Sequence, residues 1–216
     1  MNDLYESIGT IAACAHANGD EIDENIRPEN NQNIAHGLDI YHRSQFMRIG
    51  KTTDEERFEI TSPYQFVPVL RTNMSDAELA QRVSVDLDSL PPAEQRQAIH
   101  DACQPELREA TSQYDAFVDA FSQEVEPVDT DLIRISYGDD ELWNGFYVRD
   151  HCYPGSDSFS IQEYRDLVST IRSVRIQAMK LAHEVVEVFD NAGSEELANE
   201  STPEPKPYQH SSPGFQ

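Results

Sequence analysis

SIQEYRDLVSTIRSVRIQAMKLAHEVVEVFD, residues 160–190, is the stretch that decides the fold class. Its apolar positions Tyr164, Leu167, Ile171, Val174, Ala178, Leu181, Val185 and Val188 recur at alternating steps of three and four. That period places them on one stripe of a helix. Ser160 and Glu163 stand three apart, as the first cap and the reciprocal acid of a capping box. Phe159 and Tyr164 flank the cap as a hydrophobic staple, and Asn191 and Gly193 supply terminators. A stripe this long must be covered. Either it lies across a sheet of the same chain or it forms a seam with a second copy. Tyr164, Leu167, Ile171, Val174, Leu181 and Val185 are therefore the candidate interaction residues.

Upstream, DLIRISY–GDD–ELWNGFYVRDHC (131–152) reads as two strands around a Gly-Asp-Asp turn, with Gly145 marking a bulge in a long second strand; Asn144-Gly145 as a hairpin turn, which would make a three-stranded meander, is the alternative. IYHRSQFMRIG–KTTDEE–RFEITS reads as another hairpin over residues 40–62, because Phe46/Arg48 and Phe58/Ile60 alternate with polar neighbours. Residues 63–124 read as helices. Ser75 and Glu78 form a capping box, Pro91-Pro92 opens a second helix, and a third after Pro105 carries Leu107, Tyr114, Phe117, Val118 and Phe121 on one face. Residues 3–17 form a short helix and the Asn-rich 18–36 a loop. Paired strands with short turns imply antiparallel pairing. The expected fold is α+β: about four antiparallel strands in two hairpins, helices packed on one face, and a long C-terminal helix. One domain spans 1–193, and the polar, Pro-rich residues 194–216 read as a disordered tail.

The order of the strand pairs and last helix resembles the YbjN and type III secretion chaperone-like proteins. The resemblance is one of element order, carries no motif, and implies a chaperone-like interaction role.

Charge excludes more than any motif does. Forty Asp and Glu face 16 Lys and Arg, for a net charge of −24 over 216 residues, and only Lys51, Lys180 and Lys206 are lysines. Such a chain repels itself in dilute buffer. In molar salt the Debye length falls to about 3 Å and the repulsion is screened. Acids spread from end to end, with arginine kept and lysine scarce, match proteins of salt-loving cells. Phosphate backbones would meet net negative charge, so nucleic acid is a disfavoured partner. No apolar run of 18 residues exists and the N-terminal segment lacks a basic start, so the expected location is cytoplasmic, with no membrane. Three widely spaced cysteines, Cys14, Cys103 and Cys152, do not form a disulfide framework.

Four constellations bear chemistry. His100, Cys103 and His151 are residue types that hold zinc, although their spacing matches no common pattern, and a buried cysteine beside a surface histidine accounts for them equally well. Cys103 or Cys152 would serve as a nucleophile only beside a base and in an electropositive setting, and Arg149 is the sole local cation. YHRSQFMRIGK places Arg43, Arg48 and Lys51 among Tyr41 and Phe46, a composition that can stack and pair with a nucleic-acid strand. Strand-surface charges answering nearby acids explain it more simply. Finally, Arg172, Arg175 and Lys180 give the last helix a basic middle suited to acids of a partner or of its own sheet. No glycine-rich phosphate loop, GxSxG or HExxH is present, so no cofactor or catalytic residue is assigned. The expected function is a non-catalytic interaction protein (adaptor, regulator or chaperone-like), with a protein partner or a homodimer. A metal-dependent or cysteine enzyme and a nucleic-acid-binding regulator are the alternatives.

Overall fold

A computed structural model describes residues 2–23, 34–52, 57–125, 130–137, 141–155 and 159–189. The reading of 194–216 as a tail, the Gly-Asp-Asp turn at 138–140 and the terminators Asn191 and Gly193 lie outside the described residues.

Among the described residues six strands form one antiparallel sheet: β1 (Glu21–Asp23), β2 (Ile34–His42), β3 (Gln45–Thr52), β4 (Phe58–Gln65), β5 (Asp131–Tyr137) and β6 (Leu142–Cys152), in the order β1-β2-β3-β4-β6-β5. The helices are α1 (Asn2–Asn18), α2 (Phe66–Asn73), α3 (Asp76–Arg82), α4 (Pro92–Ala102), α5 (Gln104–Ser112), α6 (Tyr114–Glu124) and α7 (Ile161–Val185), with single 3-10 turns at Leu87–Ser89 and Glu187–Phe189. The fold is α+β as expected, with two strands more. One comes from IYHRSQFMRIG, which is not a single strand: Arg43 and Ser44 turn it back on itself, so that His42 faces Gln45 across β2 and β3. The other is the three-residue β1, inside the stretch read as loop.

Alternation sets the two faces of the sheet. Phe58, Ile60, Ser62 and Tyr64 on β4 are buried and stand beside Cys152, Asp150, Val148 and Phe146 on β6. The helices pack on this face. At Gly145, φ is 137° and the β5–β6 register shifts at Ile135/Ser136, so the bulge read from the sequence is present. A side chain at Gly145 would collide with the Tyr64 carbonyl oxygen, which only glycine avoids. The bulge brings Trp143 into an aromatic cluster. Phe66 meets Trp143 edge-on at 4.7 Å, and Phe117 stacks on Phe146 at 5.7 Å.

α7 covers the sheet's middle. Its capping box is formed in both directions between Ser160 and Glu163. Tyr164, Ile171, Val174 and Leu181 are buried, joined by Val168, Ala178, Met179 and Ala182, while Leu167 and Val185 are half-buried. The stripe thus meets the sheet and α1 within one chain. The helix stops at Val185; Val186 is extended, and the following turn tucks Phe189 against Phe66 at 4.6 Å. The stretch after Pro105 is also broken, at Gln113, into α5 and α6.

Candidate functional site

α1 ends in a left-handed glycine. Gly19 has φ 82°, its N–H bonds to the His16 carbonyl, and Asp20 N–H bonds back to Ala15 at 3.0 Å. This is the Schellman pattern, which only a residue free of Cβ strain forms readily. It swings Asp20 under the end of β2. There the Asp20 carboxylate lies 2.8 Å from His42 Nδ1, accepts from the Tyr164 hydroxyl at 2.7 Å, and accepts from the Asn18 amide at 3.1 Å. Asp20, His42 and Tyr164 are all buried. Burial alone would raise the Asp20 pKa, but the hydrogen bonds from His42, Tyr164 and Asn18 outweigh it and hold the carboxyl below its usual value. Burial, and then the Asp20 carboxylate, push the Tyr164 phenol far up, so it stays a donor.

With Asp20 ionised, His42 Nδ1–H is the donor of that hydrogen bond. Nε2 is buried and has no hydrogen-bond partner among the described residues. Across the pair, Gln45 donates to Ser62 Oγ at 2.8 Å, and its Oε1 is likewise unpartnered among the described residues.

His42 borders a groove of about 300 Å³ between the β2–β3 turn and α7. Arg43 reaches it from the turn, and Arg172 and Lys180 from the helix, with the hydroxyls of Ser169 and Ser173 between them. The α7 residues at the groove fall at 169, 172, 173, 176, 177 and 180, the helical spacing of a second stripe beside the apolar one. Arg43 and Lys180 make no ion pair among the described residues. The turn that presents Arg43 is itself costly: Arg43 has φ 50° and Ser44 φ 68°. Two non-glycine residues in the left-handed region carry a penalty of roughly 1–2 kcal/mol each, and such outliers cluster at binding sites.

The sequence's own candidates are placed differently. His100 on α4 bonds through Nε2 to Asn144 Oδ1 at 2.8 Å, at the start of β6. His151 lies near the other end of β6, 3.6 Å from Glu59. Seven residues of strand, roughly 23 Å, separate Asn144 from His151. Cys103 is buried where α4 meets α5. Burial and then Glu106 raise its thiol to about 11. Cys152, on the helix-covered face, is pushed to about 12 by burial, Asp150 and Glu163. Among the described residues no group of three or more His, Cys, Asp and Glu side chains is placed to hold a metal ion. On the hairpin, Arg48 is held by Asp39 at 2.8 and 3.0 Å, and Tyr41 packs on Phe46 at 5.6 Å. Of the basic middle of α7, Arg175 turns to the core, donating to the Pro63 carbonyl with its guanidinium over Tyr64.

The sequence shows Arg43, Arg172 and Lys180 as basic residues but gives no sign that they meet, because Arg43 reads as part of a continuous strand. Asp20, His42, Ser169 and Ser173 carry no local signal; only the fold brings them together.

No protein-family model matches the chain, and no curated protein matches it. A solved crystal structure of an uncharacterized protein from Methanothermobacter thermautotrophicus is similar to it, with a TM-score of 0.47 and 11% identity, over 83% of this chain and 99% of that one. No described helix is long and apolar enough to cross a membrane.

Proposed function

We propose that this is a non-catalytic interaction protein of a salt-adapted cytoplasm, and that its recognition site is the basic groove between the β2–β3 turn and α7, which takes an anionic group. The observation that carries the reading is the convergence of Arg43, Arg172 and Lys180 on one groove in a chain of net charge −24. Cations are scarce here, and three of them share a concavity with two hydroxyls. An anion with several oxygens fits this set best. Guanidinium forks bind oxygen pairs in a fixed geometry, whereas single chloride ions, abundant in molar salt, gain only one contact each. Two observations weigh against the alternatives. The His100 and His151 positions are far apart, and the thiols are driven towards the protonated, unreactive form. Arg48 of the aromatic hairpin is already held by Asp39.

Isothermal titration with inorganic pyrophosphate in molar KCl tests the reading. The unmodified protein should give a saturable one-to-one isotherm. Arg43→Glu and Lys180→Glu, both at exposed positions, should each weaken it at least tenfold while leaving the circular dichroism unchanged. Absence of binding by the unmodified protein, or undiminished binding by both variants, would overturn it.

A further inference from the structure

The face of the sheet away from the helices carries an apolar row that crosses five strands. Tyr41 on β2 stands opposite Phe46 on β3. Extended two residues past its last pair, Arg48 and Thr61, the β3–β4 register places Phe46 beside Pro63. Pro63 stands opposite Tyr147 on β6, and Tyr147 opposite Ile133 on β5. Tyr41 is 38% exposed and the other four are half-buried. An antiparallel sheet covered on one side usually turns polar residues to the other; an unbroken apolar row there marks a contact surface.

The neighbouring row is charged, and its charges are matched. Asp39 holds Arg48 at 2.8 Å; Arg149 reaches Asp131 at 2.8 Å and Glu59 at 3.4 Å. Asp23 on β1 stands opposite Asp39, and Glu59 belongs to the next row, so Asp23, Asp39 and Asp131 against Arg48 and Arg149 leave this row near −1, on a chain whose total is −24. A chain with this net charge repels a second copy of itself over most of its surface. Here two copies meet across apolar side chains bordered by compensated ions. Five strands spaced about 4.8 Å apart and seven to eleven residues long present roughly 600 Å², against the ~800 Å² that each partner contributes to a standard interface.

We infer that this open face is the surface on which a second copy of the chain docks, sheet against sheet, about a two-fold axis. The row then packs on its own image at the angle of about 30° that twisted sheets adopt. A nucleic-acid strand is the less suitable occupant, because both arginines of the face are already engaged by carboxylates.

Sedimentation equilibrium of the full chain in molar KCl reads the outcome. The unmodified protein should show twice the chain mass, dissociating on dilution. Tyr147→Glu, in the middle of the row, should sediment as a monomer, and so should Tyr41→Glu, whose position is exposed enough to leave folding intact if the first variant unfolds. A monomer at all concentrations, or a dimer that survives Tyr41→Glu with a folded spectrum, would overturn the inference. So would binding of a poly(U) oligonucleotide that Tyr41→Glu abolishes while the protein remains monomeric. Pyrophosphate binding in the groove is unaffected by either result, so the two readings fail separately.

Discussion

Asp20 is the residue on which the groove's inner wall depends. Three donors, from His42, Tyr164 and Asn18, converge on its carboxylate. Asp20→Asn keeps one acceptor oxygen but sets an NH2 where the other stood, so either His42 or Tyr164 loses its acceptor and faces a donor, at a cost of about 3 kcal/mol, readable as a lower urea midpoint. The pH dependence has a definite sign. The folded-state pKa of Asp20 is lowered from 3.8. Its contribution to stability is therefore complete above the unfolded value of about 4 and is lost as pH falls through the folded one. Acid titration of the unmodified protein against Asp20→Asn should show the difference between the two shrinking below about pH 4. The cysteines make a second residue-scale test. Cys103 and Cys152, raised to about 11 and about 12, and Cys14, raised by burial as well, should resist iodoacetamide at neutral pH until the chain is unfolded. Rapid alkylation of Cys103 or Cys152 in the folded protein would show that the site holds a thiolate.

At the scale of elements, the β2–β3 turn sets stability against function. A two-residue hairpin loop with both residues at positive φ is the natural place for Asn-Gly, yet the chain uses Arg43-Ser44. Replacing the pair by Asn-Gly should stabilise the fold by roughly 1–2 kcal/mol and raise the melting temperature, while removing pyrophosphate binding in the groove. The same turn explains what was legible in the sequence and what was not. α7 was plain because its stripe, its Ser160–Glu163 box and its length all agree; Leu181, 4% exposed, should cost about 2–5 kcal/mol when cut to Ala. Gly145 marked its bulge because no other residue fits against the Tyr64 carbonyl. The β2–β3 hairpin stayed hidden because Arg and Ser carry no turn signal, and β1 because three polar-flanked residues show no period. The groove was lost with the turn. The metal and thiol candidates drew on residue type alone, which says nothing about distance along β6.

For the whole molecule, charge is the governing quantity. Forty acids on 216 residues repel one another most when the Debye length is near 10 Å, at about 0.1 M salt, and least in molar salt. Circular dichroism should show a folded chain in molar KCl and progressive loss of structure on dialysis to dilute buffer. A basic groove lined by Arg43, Arg172 and Lys180 stands out against such a surface. The most direct measurement is at the atom the groove leaves unpartnered. The protein, labelled with ¹⁵N at its seven histidines and titrated with inorganic phosphate in molar KCl, reports each imidazole nitrogen separately, and His42→Gln identifies the signals of interest. The account predicts that His42 Nε2 shifts with saturation while Nδ1 stays bonded to Asp20 and His100 and His151 do not move. A spectrum in which no histidine responds, or in which His100 or His151 responds and His42 does not, would contradict it.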